Sequence, residues 1–135
     1  MFCCRAGRAL FAAAVLFFLG SSIASAGEKS LMHCFTFTVI DDASEADWAA
    51  FKKATDALPS KIDGLEKVWY GKLRNPLTQY SQSGDKSVRQ WGVCMQMNDL
   101  AALKTYADHP AHAEWASAYG KVRVAGTTTF DILGE

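Results

Sequence analysis

The 135-residue chain is half hydrophobic and carries 14 basic and 14 acidic residues, so its formal net charge is zero. That length fits one small domain with a modest core. The charge balance argues against a nucleic-acid or anionic-membrane partner, because both attract strongly basic surfaces.

The first 26 residues have the features of a secretory signal peptide. Arg5 and Arg8 form a basic start, residues 9–20 form an apolar segment that is short for crossing a bilayer, and residues 24–26 are a small-residue cleavage site. An uncleaved membrane anchor is the alternative interpretation. We expect cleavage after residue 26 and export to a periplasm or the extracellular space.

Cleavage would leave one domain over residues 27–135. That mature chain has 12 basic and 14 acidic residues, a formal charge of −2, which again disfavours nucleic acid and anionic membranes as partners. No cysteine lies at the cleavage point, so lipid attachment at a new amino terminus is not expected. Of the four cysteines, only Cys34 and Cys94 remain, in a compartment that permits a disulfide.

Residues 31–40 (LMHCFTFTVI) alternate between two faces, which predicts a first strand. One face is apolar and carries Phe35 and Phe37, whereas Cys34 lies on the other, mixed face. His33 begins the strand on the apolar face. It is either a satisfied histidine at the edge of the core or part of the wall of a ligand pocket.

A helix follows, for which Ser44 is the predicted N-cap with Asp47 three residues later. Its apolar positions recur at helical spacing, and we expect Pro59 to end it. The stripe consists of Trp48, Phe51, Thr55 and Leu58.

Two further strands are predicted at residues 64–73 and 90–97, separated by a long exposed loop over residues 74–89. The first contains Trp69. The second alternates, so that Trp91 lies on the opposite face from Cys94. With Trp48 and Trp115, these tryptophans are explained by core packing and a dimer interface, or alternatively by an aromatic ligand pocket.

Asn98 or Asp99 caps the next predicted helix, which His109-Pro110 interrupts. A third helix starts at Pro110, with His109 as its N-cap, and a Thr-rich strand over residues 126–133 closes the chain. The order β-α-β-β-α-α-β is typical of an α+β, ferredoxin-like domain with a four-stranded antiparallel sheet and helices on one face. The other face would be an uncovered apolar patch, which favours a homodimer formed through the sheet.

Three segments together resemble the stress-responsive α/β barrel family, also called Dabb: His33, residues 68–72 (VWYGK) and residues 103–112 (LKTYADHPAH). The resemblance extends over about residues 31–133. It implies a ferredoxin-like domain that dimerises through its sheet into an α/β barrel. Some members are polyketide cyclases that use a histidine base and a tyrosine in an aldol condensation, and those roles would fall on His112 and Tyr106. The signal peptide, the long loop and Trp91 depart from the family pattern.

The two histidines of HPAH are candidates for different roles. Pro110 forces His109 into an extended conformation, so a metal site over the two imidazoles is disfavoured. His112 would lie in the first turn of a helix, whose dipole disfavours the imidazolium form, so that the ring could accept a proton. Tyr106 could then stabilise a developing enolate. The alternative is that both side chains have packing roles only.

Cys34 and Cys94 lie on neighbouring strands in the fold that the resemblance implies, as either a disulfide or two small buried thiols.

We expect an exported homodimer that binds a small hydrophobic or aromatic molecule between sheet and helices, without a cofactor. Haem binding lacks a strong proximal-ligand signal. A polyketide-cyclase-like proton-transfer enzyme and a non-catalytic stress or scaffold protein are the alternatives. Candidate pocket residues are His33, Trp69, Trp91, His109 and Trp115.

Overall fold

The computed structural model describes residues 29–135, so the predicted signal peptide lies outside the described residues. Four strands form one antiparallel sheet: β1 (Leu31–Val39), β2 (Leu65–Tyr80), β3 (Lys86–Met97) and β4 (Arg123–Leu133). Three helices connect them: α1 (Glu45–Lys61), α2 (Leu100–Asp108) and α3 (Pro110–Gly120). The strand order is β2-β3-β1-β4, which confirms the predicted ferredoxin-like arrangement.

The core lies between the helices and one face of the sheet because the strands alternate. Phe35 and Phe37 of β1 point into this layer and are 4% and 0% exposed. Phe51 of α1 is also fully buried, and its ring makes an edge contact with Phe37 at 6.1 Å between centroids. Burying each such side chain stabilises the fold by about 1.5–3 kcal/mol.

The ends of α1 follow from local hydrogen bonding. The Ser44 hydroxyl oxygen accepts from the Asp47 backbone N–H at 3.1 Å, which confirms the predicted N-cap. The prediction that Pro59 ends the helix was wrong: α1 continues to Lys61 and closes where the Ile62 N–H donates to the Leu58 carbonyl at 3.0 Å. A proline in the last turn removes only one helical hydrogen bond, so the turn is retained.

The segment predicted as a long loop, residues 74–89, is a β-hairpin. β2 runs to Tyr80 and β3 starts at Lys86, so only residues 81–85 connect them, with Gly84 at φ +87°. The strands extend because their backbone groups pair with each other even where the side chains face solvent. The end of β2 also reaches across the sheet, where the Gln79 side-chain oxygen accepts from the Thr128 hydroxyl of β4.

The junction of α2 and α3 has the predicted geometry. Asp99 is the N-cap of α2, and its carboxylate accepts from the Ala102 N–H at 2.7 Å. His109 is extended, at φ −78° and ψ 138°, and its Nδ1 accepts from the Ala111 N–H at 3.1 Å. His109 is therefore the cap between two helices, as Pro110 predicted.

The other face of the sheet is not covered by helices. Cys34 of β1 and Cys94 of β3 are register partners on this face and form a disulfide. Trp69 pairs with Cys94 on one side and Phe130 pairs with Cys34 on the other, so the four residues form a row across the sheet. We call this surface the open face. Trp69 and Phe130 are 41% and 44% exposed there.

Across residues 29–135, no helix is long and apolar enough to span a membrane.

Candidate functional site

A cavity of about 330 Å³ lies between the sheet and helices α2 and α3. The core-facing positions of β1 and β4 form its floor, and the two helices form its wall. We call it the histidine cavity. Its polar lining side chains are His33, Tyr106, His112, Tyr119, Thr127 and Thr129, and its apolar lining includes Phe35, Leu103 and Trp115.

The tautomer of His112 follows from its hydrogen bond. Nδ1 lies 3.1 Å from the carbonyl oxygen of Ala107. Because a carbonyl only accepts, Nδ1 must carry the proton, which leaves the Nε2 lone pair of the neutral ring available as a proton acceptor. The ring also stacks on Trp115 at 5.7 Å and lies 4.3 Å from the Tyr106 ring, between centroids. His112 is therefore oriented by one hydrogen bond and two aromatic contacts.

Tyr106 is a buried donor beside this imidazole. The residue is 3% exposed. Burial, with a smaller contribution from Tyr119, raises the pKa of its hydroxyl well above the ordinary value. The group therefore stays protonated, and within residues 29–135 its hydroxyl has no hydrogen-bond partner. A ligand oxygen in the cavity would provide one.

The structure adds Asp131, which the sequence analysis missed. Asp131 of β4 is the register partner of His33 of β1, and its carboxylate oxygen lies 2.6 Å from His33 Nδ1. The carboxylate fixes the His33 proton on Nδ1, as the Ala107 carbonyl does for His112. The His33 ring lies 5.9 Å from that of Tyr106. Two oriented imidazoles thus have their ring centroids within 5.9 Å of that of one protonated tyrosine.

Trp115 forms part of the cavity wall and is held by a hydrogen bond to α1. It is 3% exposed, and its Nε1–H donates to the Thr55 hydroxyl of α1 at 2.9 Å. The aromatic ring of Tyr119 stacks on it at 4.9 Å. The position of this wall is therefore fixed by the contact between α1 and α3.

Three of the predicted pocket residues do not line the histidine cavity. Trp69 points to the open face, where it borders a concave surface of about 430 Å³. Trp91 faces the helices but packs on Trp48, 4.6 Å away between ring centroids, beside a separate cleft. His109 uses its imidazole to cap α3. Strand parity accounts for Trp69, because its register partner Cys94 lies on the open face, whereas Trp91 pairs with the core residue Phe37 and lies at a different place along the same face as the cavity.

Chemically, the cavity can accept a proton at an imidazole, donate a hydrogen bond from a tyrosine, and enclose an apolar group. Within residues 29–135, no three His, Cys, Asp or Glu side chains are grouped as metal ligands. The imidazoles and the tyrosine hydroxyl of the cavity suit proton transfer and hydrogen bonding to a ligand oxygen.

Comparisons with known proteins agree with this architecture. The family model described as Stress responsive A/B Barrel Domain (Dabb) matches residues 31–133. No curated protein matches the chain.

Solved structures share the fold. A dimeric ferredoxin-like protein of unknown function from Bacteroides fragilis is 22% identical with a TM-score of 0.58, covering 77% of this chain and 95% of its own. A Dabb family protein from Mesorhizobium loti is 21% identical with a TM-score of 0.54, covering 80% and 99%. A hydroxynitrile lyase from Passiflora edulis has a TM-score of 0.61 at 9% identity, covering 79% and 94%.

Proposed function

Because this chain belongs to the Stress responsive A/B Barrel Domain family, we propose that it forms a homodimer through the open face and binds a small hydrophobic or aromatic molecule in the histidine cavity. The observation that carries the ligand proposal is the cavity itself: about 330 Å³, bordered by aromatic rings and by the Tyr106 hydroxyl, which has no partner among residues 29–135. Concave, mostly apolar sites with a few convergent polar groups are typical ligand sites.

The homodimer is supported by exposed apolar side chains on the open face. Trp69, Phe130 and Ile132 are 41%, 44% and 56% exposed, and a patch of this kind marks an interface. The Bacteroides fragilis protein is described as dimeric. An isologous pairing of two such faces would bury these side chains.

Sedimentation at micromolar concentration tests the dimer. We expect the wild type to sediment as a dimer and Phe130→Asp as a monomer, because the variant buries a charge in the interface. Leu100→Asp is the matched control: Leu100 is 59% exposed on α2, away from the open face. A monomeric wild type, or equal effects of both substitutions, would contradict the proposal.

Ligand binding is tested with 4-phenylbutanamide, an uncharged aromatic probe, by following the Trp115 indole resonance in ¹⁵N-labelled protein. The probe should shift that resonance, because Trp115 forms the cavity wall. Thr129→Phe should abolish the shift by filling the cavity, whereas Val124→Phe, at an exposed position outside the lining, should not. A probe response that survives Thr129→Phe would place binding elsewhere.

A second candidate function is proton-transfer catalysis of the aldol type. It is favoured by the Nε2 lone pair of His112, whose ring lies 4.3 Å from that of the protonated Tyr106, and by the His33–Asp131 pair, whose imidazole lies 5.9 Å from the same tyrosine ring. His112 would remove a proton next to a carbonyl, and Tyr106 would donate a hydrogen bond to the developing enolate. His33 would orient or relay the proton.

Deuterium exchange into 4-phenyl-2-butanone in D₂O measures this activity directly. His112→Gln should lower the rate by about 10²–10⁴-fold, and Tyr106→Phe should lower it too, without a large change in melting temperature. His109→Gln is the control, because His109 caps a helix and does not line the cavity. Exchange no faster than in buffer would leave the ligand-binding or non-catalytic scaffold function instead.

Export is part of the proposal. The Cys34–Cys94 disulfide supports it, because such bonds persist mainly in oxidising compartments. Intact-mass analysis of the protein recovered from its native host should give a chain that begins at Gly27. Recovery of the chain with residues 1–26 still attached would contradict cleavage.

A further inference from the structure

Two glycines lie side by side on the open face. Gly71 of β2 and Gly92 of β3 are register partners, two residues along their strands from Trp69 and Cys94. Both glycines line the concave surface of about 430 Å³, together with Trp69 and Leu77. We call the space above the two glycines the glycine hollow.

The two glycines differ in what the protomer places above them. A Cβ added to Gly92 would lie 3.0 Å from Cδ2 of Leu73, so the protomer itself uses that space. Apart from its two chain neighbours, Gly71 has no atom of residues 29–135 within 4 Å of the position that a Cβ would take. Its φ is not positive, so its backbone conformation does not require glycine either.

The glycine at position 71 therefore has no explanation within one protomer. Glycine weakens the interior of a strand, and it often marks a place where a ligand or another chain approaches the backbone closely. The open side of the hollow faces away from the helices, toward the surface through which the proposed homodimer forms. A second copy of this chain is thus the occupant that the position of the hollow favours.

The other edge of the sheet carries side chains that protrude from the same face. β2 and β4 are the two edge strands, and Phe130 and Ile132 of β4 are 44% and 56% exposed. A two-fold axis that runs along the strands, between β3 and β1, places β4 of each copy over β2 of its partner. This arrangement sets the protruding edge of one sheet against the hollow edge of the other.

Trp69 suits the wall of the hollow better than its occupant. It is two residues from Gly71 on the same strand, and the Lys67 ammonium nitrogen lies 4.7 Å from its ring centroid. The ring is therefore held beside the hollow by a contact within its own strand. An aromatic ring that entered the hollow would pack on this indole, which is a favourable pairing.

We propose that Phe130 of each protomer inserts into the glycine hollow of its partner and packs beside Trp69 there. This inference rests on the proposed homodimer and adds the contact that sets how the two sheets are aligned. Because the pairing is isologous, the dimer contains two such contacts. Each hollow is complete only when the partner supplies its ring.

Sedimentation equilibrium of the purified protein tests the contact. Gly71→Leu should raise the dimer dissociation constant at least about tenfold by filling the hollow, and Phe130→Ala should raise it similarly by removing the ring. Gly120→Leu is the matched control, because Gly120 also has open space and no positive φ but lies at the end of α3, away from the open face. It should dimerise as the wild type does.

The double variant Gly71→Leu/Phe130→Ala identifies the occupant. The new leucine takes the space that the phenylalanine ring vacates, so the double variant should dimerise more tightly than either single variant. If Gly71→Leu does not fold, Gly71→Val carries the same test, because β-branched residues favour strands.

A wild-type dissociation constant for Gly71→Leu would overturn the inference and leave the dimer intact. Additive losses in the double variant, or rescue of Gly71→Leu by Trp69→Ala instead, would overturn Phe130 as the occupant. A monomeric wild type would reject the homodimer itself, and this inference with it.

Discussion

Thr55→Val tests whether the cavity wall is positioned by the contact between α1 and α3. Thr55 is fully buried, and its hydroxyl donates to the Phe51 carbonyl at 2.7 Å and accepts from Trp115 Nε1 at 2.9 Å. Valine has nearly the same shape but leaves the buried indole N–H without a partner. An orphaned donor costs about 1–3 kcal/mol, so we expect the free energy of unfolding to fall by about 2 kcal/mol. For a domain of this size that corresponds to a melting temperature lower by roughly 10 °C.

A double-mutant cycle by urea denaturation isolates this interaction. In a Trp115→Phe background the indole N–H is absent, so Thr55→Val should cost about 0.5 kcal/mol or less. The difference between the two backgrounds is the coupling energy of the Thr55–Trp115 pair. Equal costs in both backgrounds would refute the reasoning, because the loss would then arise from something other than the orphaned N–H.

Three further predictions concern the backbone, the cross-link and alkaline stability. Gly64→Ala should lower the free energy of unfolding, measured by denaturation, by about 2–4 kcal/mol, because Gly64 has φ +83° and an added Cβ would lie 2.6 Å from Ala102 Cβ. Gly120→Ala is the control and should be nearly neutral, because, apart from the adjacent backbone, no atom of the described residues lies near the position of its added Cβ. Reducing the Cys34–Cys94 disulfide, which spans 60 residues, should lower the free energy of unfolding by up to about 4 kcal/mol. A melting temperature that is unchanged by reductant would contradict this stabilising role. Because the folded state raises the pKa of Tyr106, the contribution of its protonated hydroxyl to the free energy of unfolding is complete below pH 10.0 and is lost as pH rises further. Tyr106→Phe should therefore flatten the loss of stability measured above pH 10.0.

Local patterns predicted the elements that depend on local physics. The alternation of β1, the Ser44 cap and the His109-Pro110 break all determine structure through neighbours in sequence, and each was found where predicted. Both strands were predicted, but their extension over residues 74–89 was missed because most of these residues are exposed, where strands need no apolar alternation. The stability of this extension comes from backbone pairing between two segments joined by residues 81–85, which composition does not reveal.

The candidate site was only partly predictable, because it depends on strand register. The sequence could identify His112 and Tyr106 as neighbours across one helix junction. Asp131 is 98 residues from His33, and only the pairing of β4 with β1 brings the two together. An alternating reading of β4 would have placed Asp131 on one face with Thr127 and Thr129, and that signal was present in the sequence. The register of β4 on β1 was needed to decide which face of the sheet these side chains occupy.

Strand parity also separates the two proposed functions of the sheet. His33 lines the histidine cavity and its register partner Asp131 lies on the same face of the sheet, whereas the adjacent residues Cys34 and Phe130 are register partners on the open face. Substitutions at alternate positions therefore act on opposite sides of the same strands. A substitution at Phe130 should change association without touching a cavity side chain, and one at Asp131 should change His33 without touching the open face. The dimer and the ligand site can consequently fail independently, so that loss of one leaves the test of the other valid.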